Sequence, residues 1–241
     1  MTKRVCILTG ASGRLGTAFC RAYADKYEIV AVYWRNEPVA SSQLRRFVDP
    51  LRPATALAEN ESPVFAFKAD LARVEERSRV VEIALARFGR IDLLVNAAVH
   101  SVWAPMIESR ALSDSMSAQF HMNTVVPMQL ALECARQFWR DRDAENRAAR
   151  RNVVNVSSVA GVRIFPGSGQ SVYAATKAAL NHLTLHMASE FEVLGLRVNA
   201  VVPNTFSKIV SVDRVTEAIH ALDSTEDSGR LVLVDRDLAA T

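Results

Sequence analysis

The chain has 241 residues, 49% of them apolar, which is enough for one sizeable core and asks for no second domain. Its 29 Lys and Arg against 26 Asp and Glu leave a net charge of +3, interspersed along the chain, which argues against a nucleic-acid arm. Cys6, Cys20 and Cys134 are odd in number and far apart, so they read as free thiols of a reducing compartment, and no CxxC or Cys/His cluster offers a zinc site.

From the N-terminus, Arg4–Leu8 reads as a strand; its apolar run, Val5–Leu8, is too short for the core of a signal peptide. A helix over Leu15–Asp25 and a strand over Glu28–Trp34 follow. After an irregular stretch at 36–63 with four prolines come a strand at Val64–Phe67, a helix at Val74–Phe88 and a strand at Ile91–Asn96. A long helix is expected over Ser113–Trp139. The charged run Arg140–Arg151 then reads as a solvated helix end and loop, in preference to a basic docking patch for an acidic carrier. Strand Asn152–Ser157, helix Val172–Leu194, strand Leu196–Val202, helix Val212–Leu222 and strand Leu231–Val234 complete the order. No stretch approaches the ~18 apolar residues of a membrane span. Strand and helix in alternation, with near-continuous Val/Ile/Leu/Ala strands, predict an α/β fold: a doubly wound, seven-stranded parallel sheet with helices on both faces, one Rossmann domain over 1–241. A soluble, cytoplasmic protein is expected.

The first strand runs straight into Thr9-Gly10-Ala11-Ser12-Gly13-Arg14-Leu15-Gly16 and then a helix. Glycines there allow a tight turn and close approach of the backbone to a pyrophosphate, and the helix N-terminus offers free N–H groups. The second strand ends at Trp34, followed by Arg35 and Asn36. An acidic residue at this place suits the ribose 2′-hydroxyl of NAD, and a basic one the 2′-phosphate of NADP. NADP(H) is therefore preferred over NAD(H). Arg14 adds a second positive charge.

Tyr173 and Lys177 are four apart on one face of a helix, and a nearby ammonium favours the phenolate. The pair lies downstream of the nucleotide loop and after a strand ending in Ser157-Ser158. Taken with Ala69-Asp70-Leu71, LLVNAA at 93–98, HMNT at 121–124, NVSS at 155–158, YAATK at 173–177 and RVNAVVP at 197–203, the chain resembles the short-chain dehydrogenase/reductase family in its compact branch.

The resemblance implies a hydride transfer between a nicotinamide and a carbonyl or secondary alcohol, without metal. Tyr173 would be the general acid/base. Lys177 would hold the nicotinamide ribose, Ser158 the substrate oxygen, and Asn123 a relay water leading from Lys177. Gly10, Ser12, Gly13, Arg14, Leu15 and Gly16 would surround the phosphates, and Arg35 and Asn36 the ribose. Asp70 and Leu71 would meet adenine, Asn96, Ala97 and Ala98 the adenosine side, and Pro203, Asn204, Thr205 and Phe206 the carboxamide. The substrate would be a small molecule, free or carrier-bound, and the protein a homodimer or homotetramer.

Departures from the family pattern are Arg14 in place of a glycine, Asn-Ala-Ala-Val at 96–99, Asn204 after Pro203, and a longer span from Ser158 to Tyr173 at Phe165–Gln170. The altered glycine loop, with a segment from Phe206 to Ser211 shorter than the usual substrate lid, motivates a second reading, a dinucleotide-binding sensor or scaffold with little turnover; redox-neutral epimerisation or dehydration on the same scaffold is a third. His182 and His186 have the spacing of a zinc pair but no third ligand, so packing or interface roles are expected. His100, Trp103, Ile164, Phe165 and Phe206 follow strand ends and are candidates to touch substrate.

Overall fold

The structure is a computed structural model that describes residues 3–38, 63–107, 109–205 and 209–235. Seven parallel strands form one sheet: β1 (Arg4–Thr9), β2 (Tyr27–Tyr33), β3 (Val64–Lys68), β4 (Leu93–Asn96), β5 (Asn152–Val156), β6 (Arg197–Pro203) and β7 (Leu231–Val234). Their order in space is β3-β2-β1-β4-β5-β6-β7, so the direction of winding reverses between β1 and β4. Ligands of open α/β sheets bind outside the strand ends at that reversal. The expected Rossmann architecture is present.

Alternate residues of each strand face opposite layers, and both layers are apolar. On one side Ile7, Val30, Leu94, Val153 and Val198 pack under α2 (Val74–Phe88), α4 (Val126–Cys134) and the end of α6 (Ser171–Glu190). On the other, Cys6, Leu8, Ile29, Leu93, Val154 and Val201 meet α1 (Arg14–Tyr23) and α7 (Val212–Ser224). All three cysteines are buried and unpaired. No described helix is long and apolar enough to cross a membrane.

The long helix expected over Ser113–Trp139 is interrupted. It begins as α3 (Arg110–Phe120), loosens into a π-helical turn at His121–Val125, resumes as α4 and ends in a second π turn at Ala135–Trp139. Pro127 supplies a reason for the first break: it has no N–H to give to the carbonyl of Asn123, four residues back. The run at 140–151 is less solvated than expected. It folds into α5 (Asp143–Ala148), and buried Asn146 donates to the carbonyls of Trp139 and Leu194, both at 2.7 Å. Most of the irregular stretch at 36–63 lies outside the described residues.

Candidate active site

The loop after β1 is built on Thr9. Its hydroxyl accepts the N–H groups of Ala97 and Ala98 at 2.9 and 3.0 Å and faces the carbonyl of Val95 at 3.3 Å, tying the ends of β1 and β4 together. Gly10 has φ +68°, and a Cβ there would lie 2.7 Å from the Ala97 oxygen. Only glycine passes at that distance. Gly13 caps α1 without a side-chain acceptor, so no cap side chain covers the first turn of the helix.

A cleft of about 510 Å³ opens beyond the C-terminal ends of β1–β4. Gly10, Ser12 and Gly13 line one side, Arg35 and Asn36 the tip of β2, Asp70 and Leu71 the end of β3, and Ala97 and Ala98 the end of β4. Trp34, His100 and His121 line it as well. Four of the residues expected here are not among its walls. Leu15 and Gly16 are buried in α1, and Arg14 is exposed. The Asn96 side chain turns into the sheet and donates to Asn155 Oδ1 at 2.9 Å, because a buried amide needs a partner the cleft does not provide. One Asp70 oxygen accepts the N–H of Ala72 at 3.0 Å.

A second cavity, of about 340 Å³, lies beyond β5 and β6, and Ser158, Tyr173, Pro203, Asn204 and Thr205 line it. Ser158 follows β5 and starts a short 3₁₀ turn by accepting the N–H of Ala160 at 3.2 Å. Tyr173 is the third residue of α6, and its side chain lines the same cavity as Ser158, close enough for the serine hydroxyl to favour the phenolate. Lys177 is one turn further on, with Nζ 5.8 Å from the Tyr173 ring centre and donating to the Val156 carbonyl at 2.8 Å. Phe206 lies outside the described residues.

The electrostatics differ from the sequence expectation. Burial pushes the Tyr173 phenol above its ordinary value of 10, and the opposing pull comes from Ser158 instead of Lys177. Burial also lowers Lys177 from 10.5 to about 8. Both shifts disfavour the charged forms of the two side chains.

Asn123 sits in the π turn, fully buried. Its amide exchanges both hydrogen bonds with the backbone of His100, at 2.8 Å each, and donates to Thr176 Oγ1 at 3.0 Å. Its side chain has no free group for a water, while its carbonyl faces a proline in place of a helical N–H donor.

Trp103 and Phe165 line the 340 Å³ cavity, whereas Ile164 projects into solvent. His182 and His186 face each other at 3.2 Å on the exposed side of α6, and no group of three metal-ligating side chains occurs among the described residues. Sequence reasoning missed Thr9, Gln119 and Ser157. Thr9 sits inside the glycine motif, and Gln119 lies one helical turn before Asn123, so both had a positional signal. A further cavity, about 700 Å³, opens at the opposite end of the sheet, where Arg197 begins β6.

Gly10, the start of α1 and the basic tip of β2 fit a dinucleotide: a cradle that a Cβ would fill, a helix N-terminus with no capping side chain to face phosphates, and Arg35 for a further anionic group.

Comparison with known proteins agrees. Residues 4–218 match the family described as short chain dehydrogenase. A diacetyl reductase [(S)-acetoin forming] of Staphylococcus epidermidis is 25% identical over 226 residues, 94% of this chain and 80% of that protein. An A-factor type gamma-butyrolactone 1′-reductase (1S-forming) of Streptomyces virginiae is 31% identical over 210 residues, 85% of this chain and 72% of that one. Among solved structures, a short chain dehydrogenase from Mycobacterium smegmatis shares the fold with a TM-score of 0.78 at 23% identity, over 99% of this chain and 94% of that one.

Proposed function

The chain belongs to the short-chain dehydrogenase/reductase family, and from that premise we propose that it is an NADP(H)-preferring reductase of a neutral small-molecule carbonyl, with Tyr173 as proton donor. The observation that carries this reading is the convergence of Ser158 and Tyr173 on one cavity, with Lys177 buried one helical turn behind the tyrosine.

A bound nicotinamide supplies the hydride. The chain's own residues do the rest. The Ser158 hydroxyl orients the substrate oxygen, and the neutral Tyr173 phenol gives it a proton. Lys177 stands behind the phenol and restores that proton, and a water leaning on the Asn123 carbonyl connects Lys177 onward. Gly10, Ser12, Gly13 and the start of α1 take the pyrophosphate. Arg35 takes the 2′-phosphate, with no carboxylate at 34–36 to hold a 2′-hydroxyl in its place. Met116 and Phe120 of α3 and Leu185 of α6 expose apolar surface that a second copy of the chain would cover, as in a homodimer or homotetramer.

The test is reduction of a ketone panel by the wild type and by Tyr173→Phe. The variant is expected to lose about 10²–10⁴ in kcat while still binding NADPH. NADPH should outperform NADH, with Arg35→Ala narrowing the gap. Near-wild-type turnover by Tyr173→Phe overturns the mechanism, and equal use of both dinucleotides overturns the cofactor assignment.

A further inference from the structure

Resting on that carbonyl-reductase reading, we infer that the substrate class is a neutral ketone carrying an aromatic or alicyclic ring, seated against Trp103 and Phe165. Both side chains line the cavity, and both are bare: Trp103 is 54% and Phe165 38% exposed. The Trp103 ring centre is 6.0 Å from that of Tyr173, at an interplanar angle of 52°. A flat apolar wall therefore stands beside the proton donor. Exposed aromatic surface rimmed by polar groups marks a place that a ligand covers.

The wall is held in place. Residues 100–104 are tied at every second position. Asn123 holds the N–H and carbonyl of His100, and Gln119 Oε1 accepts the N–H of Val102 at 3.2 Å. The N–H of Ala104 donates to the carbonyl of Gly169 at 2.9 Å. This last bond joins the Trp103 loop to the loop carrying Phe165. Gly169 has φ +66°, and a Cβ there would come within 3.0 Å of the Ala104 backbone, so the junction needs glycine. The glycine-containing stretch 165–170 thus fixes two aromatic walls relative to each other. Indole and phenyl faces held in this way recognise a ring by shape and dispersion.

The polar lining excludes charge. It consists of hydroxyls and amides, among them Ser168, Gln170, Asn204 and Thr205, and no described residue of the lining carries a full charge. Arg163, just before Phe165, is paired with Asp235 at 3.2 Å. An anionic substrate would lose hydration there and meet no charged side chain in the described lining, Lys177 being turned to the Val156 carbonyl. The volume of about 340 Å³ is at the small end of ligand pockets, which run about 300–1,000 Å³. It suits one or two rings, and a short acyclic ketone would leave both aromatics wet.

The experiment measures kcat/KM with NADPH for acetophenone and 2-methylcyclohexanone against diacetyl and acetoacetyl-CoA. The wild type should favour the ring ketones. Trp103→Ala should lower ring-ketone efficiency about tenfold, mainly through KM, and Trp103→Phe should restore most of it. NADPH affinity, measured in parallel, checks that the variants are folded. As a readout apart from turnover, saturation-transfer NMR should show magnetisation passing from the wild type to the ring protons of 1-phenylethanol, and less of it in Trp103→Ala. Diacetyl or acetoacetyl-CoA reduced as well as the ring ketones, or a Trp103→Ala variant with unaltered preference, overturns the substrate class and leaves the reductase reading standing. NADPH bound but oxidised by no ketone overturns both.

Discussion

Lys177 shows how one residue trades stability for chemistry. The drop from 10.5 to about 8 means that the folded chain disfavours the ammonium by about 3 kcal/mol. Below about pH 8 both states hold the proton and the full cost is present. Between about 8 and 10.5 the folded state has released the proton that the unfolded state still keeps, so stability rises across this window. Lys177→Met, of similar length and without charge, should therefore melt higher than the wild type at pH 7, lose that rise above pH 8 and abolish turnover. Thermal melts at pH 7, 8 and 10 check this. A lower melting temperature at pH 7 would mean that the bond to the Val156 carbonyl outweighs the desolvation. The Tyr173–Lys177 spacing was readable in the sequence, but the dominance of burial over the lysine's charge was not, because desolvation depends on what encloses a group.

At the scale of elements, the legible parts were those with a local signal. Apolar strands, the glycine loop and the helix faces repeat with short periods, and the structure carries them within a residue or two. The helix over 113–139 was misread as continuous because its apolar period persists through the π turns, while the cause of the first break is a single ring at Pro127. The clamp on residues 100–104 was not readable at all. It needs Gln119 and Asn123, one turn apart in the same helical run, and Gly169 from a distant loop to converge on it. Asn123 therefore acts on the loop as a positioning residue. Asn123→Ala should remove the partner of the partly buried N–H and carbonyl of His100 and destabilise the fold by about 1–3 kcal/mol. It should also raise KM for the ketone, since Trp103 loses its anchor. Urea denaturation and steady-state kinetics measure the two effects. An unchanged KM would overturn the positioning role of Asn123.

Over the whole molecule, the N-terminal edge of the sheet is locked by buried charge. Asp223 of α7 accepts from Arg4 Nε at 2.8 Å and from Tyr27 at 2.9 Å, with Arg197 3.7 Å away, so β1, β2 and β6 meet on one carboxylate. Asp92 likewise faces Arg90 at 3.0 Å and Arg151 at 3.6 Å. Each residue alone reads as an ordinary surface charge, and Arg4 and Asp223 are 219 positions apart, so sequence patterning had no access to the network. Removing one member leaves charge without a partner. Asp223→Ala should cost about 3–5 kcal/mol in equilibrium denaturation while activity per folded molecule is retained. A loss below about 1 kcal/mol would show that the arginines reach water instead.

The arginine–aspartate lock and the cavity lined by Ser158 and Tyr173 lie at opposite ends of the sheet. Pocket residues can accordingly diverge while the scaffold stays intact, since a substitution near Trp103 or Ser168 touches no member of the lock. A lineage built on this plan can acquire new substrates by small steps, none of which has to be compatible with rebuilding the core.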